Sequence, residues 1–123
     1  MSFNKRQQRL ANYGISRKRY KELCAFCEQY PEWLTEIASA SALPPGSLSE
    51  HQAARLARLK EKVAMVEKAA QDTEADLKGY LVLSACYNCS YVYLHMCKGL
   101  AMSERAFSDK RRLFFFHLSQ MHY

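Results

Sequence analysis

"GLAMSERAFSDKRRLFFFHL" (Gly99–Leu118) sets the densest basic cluster of the chain directly against its most apolar run. A helix reconciles the two, because residues three and four apart share a face and others point away. Phe107, Phe114 and Leu118 recur at i, i+7 and i+11 and define an inward side. Ser103, Glu104, Arg105, Ser108, Asp109 and Arg112 then fall on the outward side, with Lys110 and Arg111 at its flank. Phe115 and Phe116 cannot both turn inward with the others, so at least one is expected to pack on another helix or on a second subunit. Ser103 is a natural N-cap for such a helix, which is expected to run to about Ser119.

Upstream of this helix, "SYVYLHMCKGLAM" (Ser90–Met102) reads as a short helix followed by a tight connection, so the tail has the form of a helix-turn-helix. Placing Tyr93 at the start of that motif puts Met96, Leu100, Met102 and Phe107 at its apolar positions and Cys97 at its small-residue position. Only Lys110 then occupies an apolar position, where its aliphatic stem can serve. The register that makes Gly99 the turn glycine scores worse, because Lys98, Arg105 and Ser108 take apolar positions. In the first register the outward face of the last helix is the one that recognition helices present to base edges, and the flanking bases lie where phosphates run.

The rest of the chain is also helical in pattern, and no alternating run with hairpin chemistry is present. A helix is expected from Ser16 to about Tyr30, capped by Ser16 and broken at Pro31, which lacks an N–H. "PEWLTEIASA" (Pro31–Ala40) follows as a short helix with its proline in the first turn. Trp33 is read as packing on a long helix, with a protein-binding anchor as the other reading. "LPPGSL" (Leu43–Leu48) is a linker between a basic helical segment, 1–42, and the remainder, 49–123, the whole forming one compact domain. The longest helix begins after Ser47 or Ser49. Leu56, Leu59, Val63, Val66, Ala70, Thr73, Leu77, Tyr80 and Ser84 repeat along it in a heptad-like stripe. That stripe either pairs two copies of the chain as a coiled coil or packs on the chain's own helices. The helix is expected to end near Cys86, with a tight connection near Asn88. The expected fold is all-α: a helical bundle with one long central helix and a C-terminal helix-turn-helix-like unit.

With 123 residues, 49% of them hydrophobic, the chain is long enough for one core without disulfides. No apolar run approaches the ~20 residues of a membrane span, and no signal-peptide pattern precedes the first helix, so a cytoplasmic location without membrane contact is expected. The net charge of +6 is unevenly spread. Residues 1–21 carry seven bases and no acid, residues 22–97 six bases and ten acids, and residues 98–123 five bases and two acids. A basic head and tail around an acidic middle suit a polyanion, and Arg17, Lys18, Arg19 and Lys21 form a second basic surface beside Lys5, Arg6 and Arg9.

Cys24-Ala-Phe-Cys27 and Cys86-Tyr-Asn-Cys89 have the spacing of zinc knuckles, but neither pair carries the glycine or small polar turn that frees backbone N–H groups toward thiolates. Core packing is the better reading. His95 beside Cys97 lacks the third group of a nucleophilic triad, and packing again explains Cys97 better. No phosphate-binding glycine loop or paired-carboxylate arrangement is present. The chain is therefore read as a non-enzyme, without metal or cofactor.

"YKELCAFCEQYPEWLTEI" (20–37), "ARLKEKVAMVEKAA" (57–70) and "MSERAFSDKRRLFFFHLSQ" (102–120) together resemble the ArpU/RinA-like phage transcriptional regulators of Gram-positive bacteria. The resemblance spans roughly residues 16–120. Those proteins have a helical segment with a Tyr-Pro break, a long middle helix and a C-terminal helix-turn-helix. Their last helix reads close to S-x-x-T-F-Y-x-x-R-R-x-F, which Ser103, Phe107, Arg111, Arg112 and Phe114 match. Ala106 replaces the threonine and Ser108 the tyrosine, both on or near the outward face. The resemblance implies a DNA-binding regulator, acting on double-stranded DNA in the cytoplasm of a bacterial host; if the heptad-like stripe pairs two copies, it would act as a homodimer through the long helix. Two alternatives share its features. One is a phage interaction protein that binds a host protein or nucleoprotein complex, such as a CRISPR effector, and inhibits or redirects it. The other is a small DNA-packaging component.

Overall fold

The computed structural model describes residues 13–121, and every regular element in that range is helical. Lys5, Arg6 and Arg9 of the basic head lie outside the described residues.

Helix α1 (Arg17–Glu28) starts where expected: the Ser16 hydroxyl accepts the Arg19 N–H at 3.0 Å. It stops at Gln29, and α2 (Tyr30–Ser41) begins at once with Pro31 in its first turn. The proline is tolerated there because the first N–H groups of a helix have no internal partner. The linker holds Pro44, Pro45 and Gly46, the last at φ +81°. Helix α3 (Glu50–Thr73) opens with a full capping box, in which Ser49 and Gln52 each accept the other's backbone N–H.

The long helix is shorter than its heptad-like stripe. Backbone extension at Glu74 (φ −169°, ψ 117°) interrupts it, and a 3₁₀ turn (Ala75–Leu77) leads into α4 (Lys78–Cys86). Thr73, whose hydroxyl bonds back to the Ala69 carbonyl at 2.8 Å, lies just before the break. Thr and Asp are weak helix formers that compete for backbone groups, and "QDTEAD" (71–76) clusters them. Leu77, Tyr80 and Ser84 therefore do not continue the α3 stripe. Asn88 takes a left-handed φ of +55° in the connection to α5 (Tyr91–Lys98), capped by Ser90. Helix α6 (Glu104–Met121) ends the described chain.

Helix α3 packs against α2, α4 and α6, while α1 lies on α4 and α6. Leu59, Val66, Ala69 and Ala70 are the buried residues of α3, and the two alanines let neighbouring backbones approach closely. Of the heptad-like stripe, Leu59, Val66 and Ala70 are buried within the chain, as the own-chain reading expects. Trp33 is buried, edge-on to Phe26 at 4.8 Å, with Lys62 of α3 at 5.6 Å over its ring. It packs inward rather than serving as an exposed anchor. Nearby, the Tyr30 hydroxyl donates to the Glu67 carboxylate at 3.0 Å. Burial and then that carboxylate push the phenol's ionisation above its ordinary range.

Candidate nucleic-acid interface

Helix α5, the connection Gly99–Ser103 and helix α6 form the tail. Leu94 is the buried residue of α5, and Leu100 follows it into the core. Between them Gly99 adopts φ +76°, a conformation costly for any residue with a Cβ. The Leu100 N–H returns to the Leu94 carbonyl at 3.0 Å. Three side chains clasp carbonyls along this turn. Tyr80 donates to Lys98 at 2.9 Å and Tyr91 to Met102 at 2.6 Å, while His95 Nδ1 meets the Leu100 carbonyl at 2.7 Å. A carbonyl only accepts, so Nδ1 carries the proton in this arrangement. The His95 ring also stacks on Tyr91 at 5.5 Å.

This geometry departs from the register expected for the motif. Leu94 and Leu100, on either side of Gly99, are the buried residues. Met96 is 74% exposed and Cys97 is exposed, although both were assigned to the interior. The physical reason is connection length. Five residues separate Lys98 from Glu104, a longer connection than the motif's tight turn. Phe107 is buried as expected; the departure lies before and within the turn.

The location of Cys97 gives a direct check. A maleimide reagent under native conditions should label Cys97 first. Cys27 and Cys86, both buried, should react only as the protein unfolds. The Cys27 thiol is held protonated, first by its hydrogen bond with Cys86 and then by burial, and burial raises Cys24 as well. Mass mapping that found Cys97 protected would restore the rejected register.

Helix α6 divides its faces as its sequence predicts. Ser103 accepts the Ala106 N–H at 3.1 Å and so caps the helix. Phe107, Phe114 and Leu118 are buried, and Phe115 joins them, edge-on to Tyr20 of α1 at 5.1 Å. Phe116 is half-buried beside Tyr13 at 5.4 Å. Ser103, Glu104, Arg105 and Asp109 are exposed and Ser108 is half-exposed. These five remain together on the outward side.

The bases do not all remain with them. Arg111 turns inward: its Nε donates to Ser84 at 3.0 Å, its Nη1 to Tyr20 at 2.6 Å, and its guanidinium lies 4.9 Å over the Phe115 ring. It ties α1, α4 and α6 together instead of standing free at the flank. Arg112 is paired with Asp109 and its side chain is only 12% exposed. Lys110 reaches across to Glu74 at 3.2 Å, partly neutralising its flank. Among the lysines and arginines of α6, only Arg105 is exposed. Arg17, Lys18 and Lys21 of α1 are exposed, while Arg19 is half-buried and bonded to Glu22 at 3.5 Å. No acid stands in the first turn of α1 to balance these bases, an arrangement the helix dipole disfavours.

Among the described residues, no group of three or more His, Cys, Asp or Glu side chains is placed to hold a metal ion. No described helix is long and apolar enough to cross a membrane. Comparison of the chain with protein-family models, curated proteins and solved structures finds no match.

Proposed function

We propose that the chain is a DNA-binding transcriptional regulator, of the phage-borne kind that its tail resembles, reading duplex DNA with the first turns of α6. The observation that carries this reading is the free N-terminal face of that helix. Ser103, Glu104, Arg105 and Ser108 stand clear of the core while Leu94, Leu100 and Phe107 lock the preceding turn against it. A rigid turn that presents the start of a long helix is what major-groove reading requires. Arg105 is the base-contacting candidate, and Arg17, Lys18 and Lys21 are the candidates for phosphates. Neither Arg111 nor Arg112 is needed for contact.

Titration of labelled duplexes from about 50 to 200 mM salt tests the reading. Each neutralised phosphate should add ~0.9 to the slope of log K against log salt. Lys18→Ala should weaken all sequences equally and lower that slope by about one. Arg105→Ala should instead relax preference at one or two base pairs, worth ~1–3 kcal/mol. Weak binding with no dependence on either residue would favour the interaction-protein alternative.

A further inference from the structure

Helix α5 is apolar on both sides. Leu94 faces the core, and Val92 and Met96, one turn apart, lie on the opposite side with Tyr93 beside them. Val92 is 65% and Met96 74% exposed. Four of the five exposed large hydrophobic side chains among the described residues fall between Tyr87 and Met96. An apolar face opposite the core-facing side of a helix is ordinarily covered as well. A contiguous exposed apolar face on an otherwise well-packed protein is the mark of a contact surface, and methionine adapts readily to a partner's shape.

The charge around this face selects the partner. From Leu77 to Ser103 the chain contains Lys78, His95 and Lys98 and no acid, and Glu104 is the first carboxylate beyond it. Lys98 Nζ sits 5.8 Å over the Tyr93 ring, so a cation borders the apolar surface directly. An apolar stripe bordered by Lys98, on a segment that carries bases and no acid of its own, complements a helix with a leucine-type stripe flanked by carboxylates. Two copies of α5 set face to face would instead bring bases together without a balancing acid.

We propose that the Val92–Tyr93–Met96 face of α5 docks an acidic amphipathic helix of a protein partner, seated on the apolar side chains with its carboxylates toward Lys98. The proposal rests on the exposed face of α5 and does not require the DNA-binding reading.

The test uses the full chain and two synthetic helical peptides with the same leucine stripe, one flanked by Glu and one by Lys. Binding is followed by fluorescence anisotropy, and self-association of the chain by sedimentation. The Glu peptide should bind at least ~10-fold more tightly than the Lys peptide. Met96→Asp and, separately, Val92→Asp should abolish that binding with thermal unfolding unchanged. Lys98→Ala should narrow the difference between the peptides. Equal binding of the two peptides, or binding indifferent to both Asp variants, overturns the proposal. So does a wild-type dimer that Met96→Asp converts to monomer, since the face would then belong to a second copy.

Discussion

Phe114→Ala should destabilise the protein by about 3–5 kcal/mol. The ring has no exposed surface and meets Phe115 edge-on at 5.1 Å. It lies two turns beyond Phe107 and one turn before Leu118, so it occupies the middle of the stripe that joins α6 to the rest of the bundle. Truncation removes the transfer free energy of a phenyl group and leaves a cavity whose walls come from several helices, which limits collapse around it. Urea denaturation followed by far-UV circular dichroism gives the value. An unchanged midpoint would place Phe114 outside the core and undo the face assignment of α6, including the exposure of Arg105.

The second large effect is expected at Arg111. Its guanidinium satisfies the buried Ser84 hydroxyl and the Tyr20 hydroxyl and covers the Phe115 ring. Charge-assisted hydrogen bonds contribute ~1.5–3 kcal/mol and a cation over an aromatic face ~0.5–2 kcal/mol. These terms share one side chain and do not add, so Arg111→Ala is expected to cost about 2–4 kcal/mol. Arg111→Lys should recover only part of that, because an ammonium lacks the planar fork that reaches both hydroxyls. A phosphate-binding role makes the opposite forecast: stability held, and the salt slope of DNA binding lowered by about one. Measuring both quantities on the same variant separates the two roles.

The parts of the fold legible in the sequence were those set by local chemistry. Ser16, Ser49 and Ser103 announce helix starts because a cap bonds within three residues of itself. Pro31 marks the α1–α2 break, and the connection near Asn88 coincides with a left-handed residue. The alternation of Phe107, Phe114 and Leu118 resolved the faces of α6 because a helix repeats its geometry. Parts decided by distant residues were not legible. Tyr20 and Arg111 are 91 positions apart, and no periodicity carries that contact. The heptad-like spacing continued past Glu74 on paper, although one extended residue ended its geometric meaning. The register of the tail failed for a similar reason: a template of fixed length cannot absorb a longer turn. Gly99, at positive φ between the buried Leu94 and Leu100, marks where that turn lies. Of the outward face, Ser103, Glu104, Arg105, Ser108 and Asp109 kept their predicted side, whereas the neighbouring bases were drawn into ion pairs and hydrogen bonds.

The measurement closest to the DNA-binding reading is selection of bound fragments from a pool of random duplexes, run in parallel with the wild-type protein and Arg105→Ala. The account predicts one enriched site for the wild-type protein and the same site, relaxed at one or two base pairs, for the variant. A folded wild-type protein that returns no enriched site would contradict it.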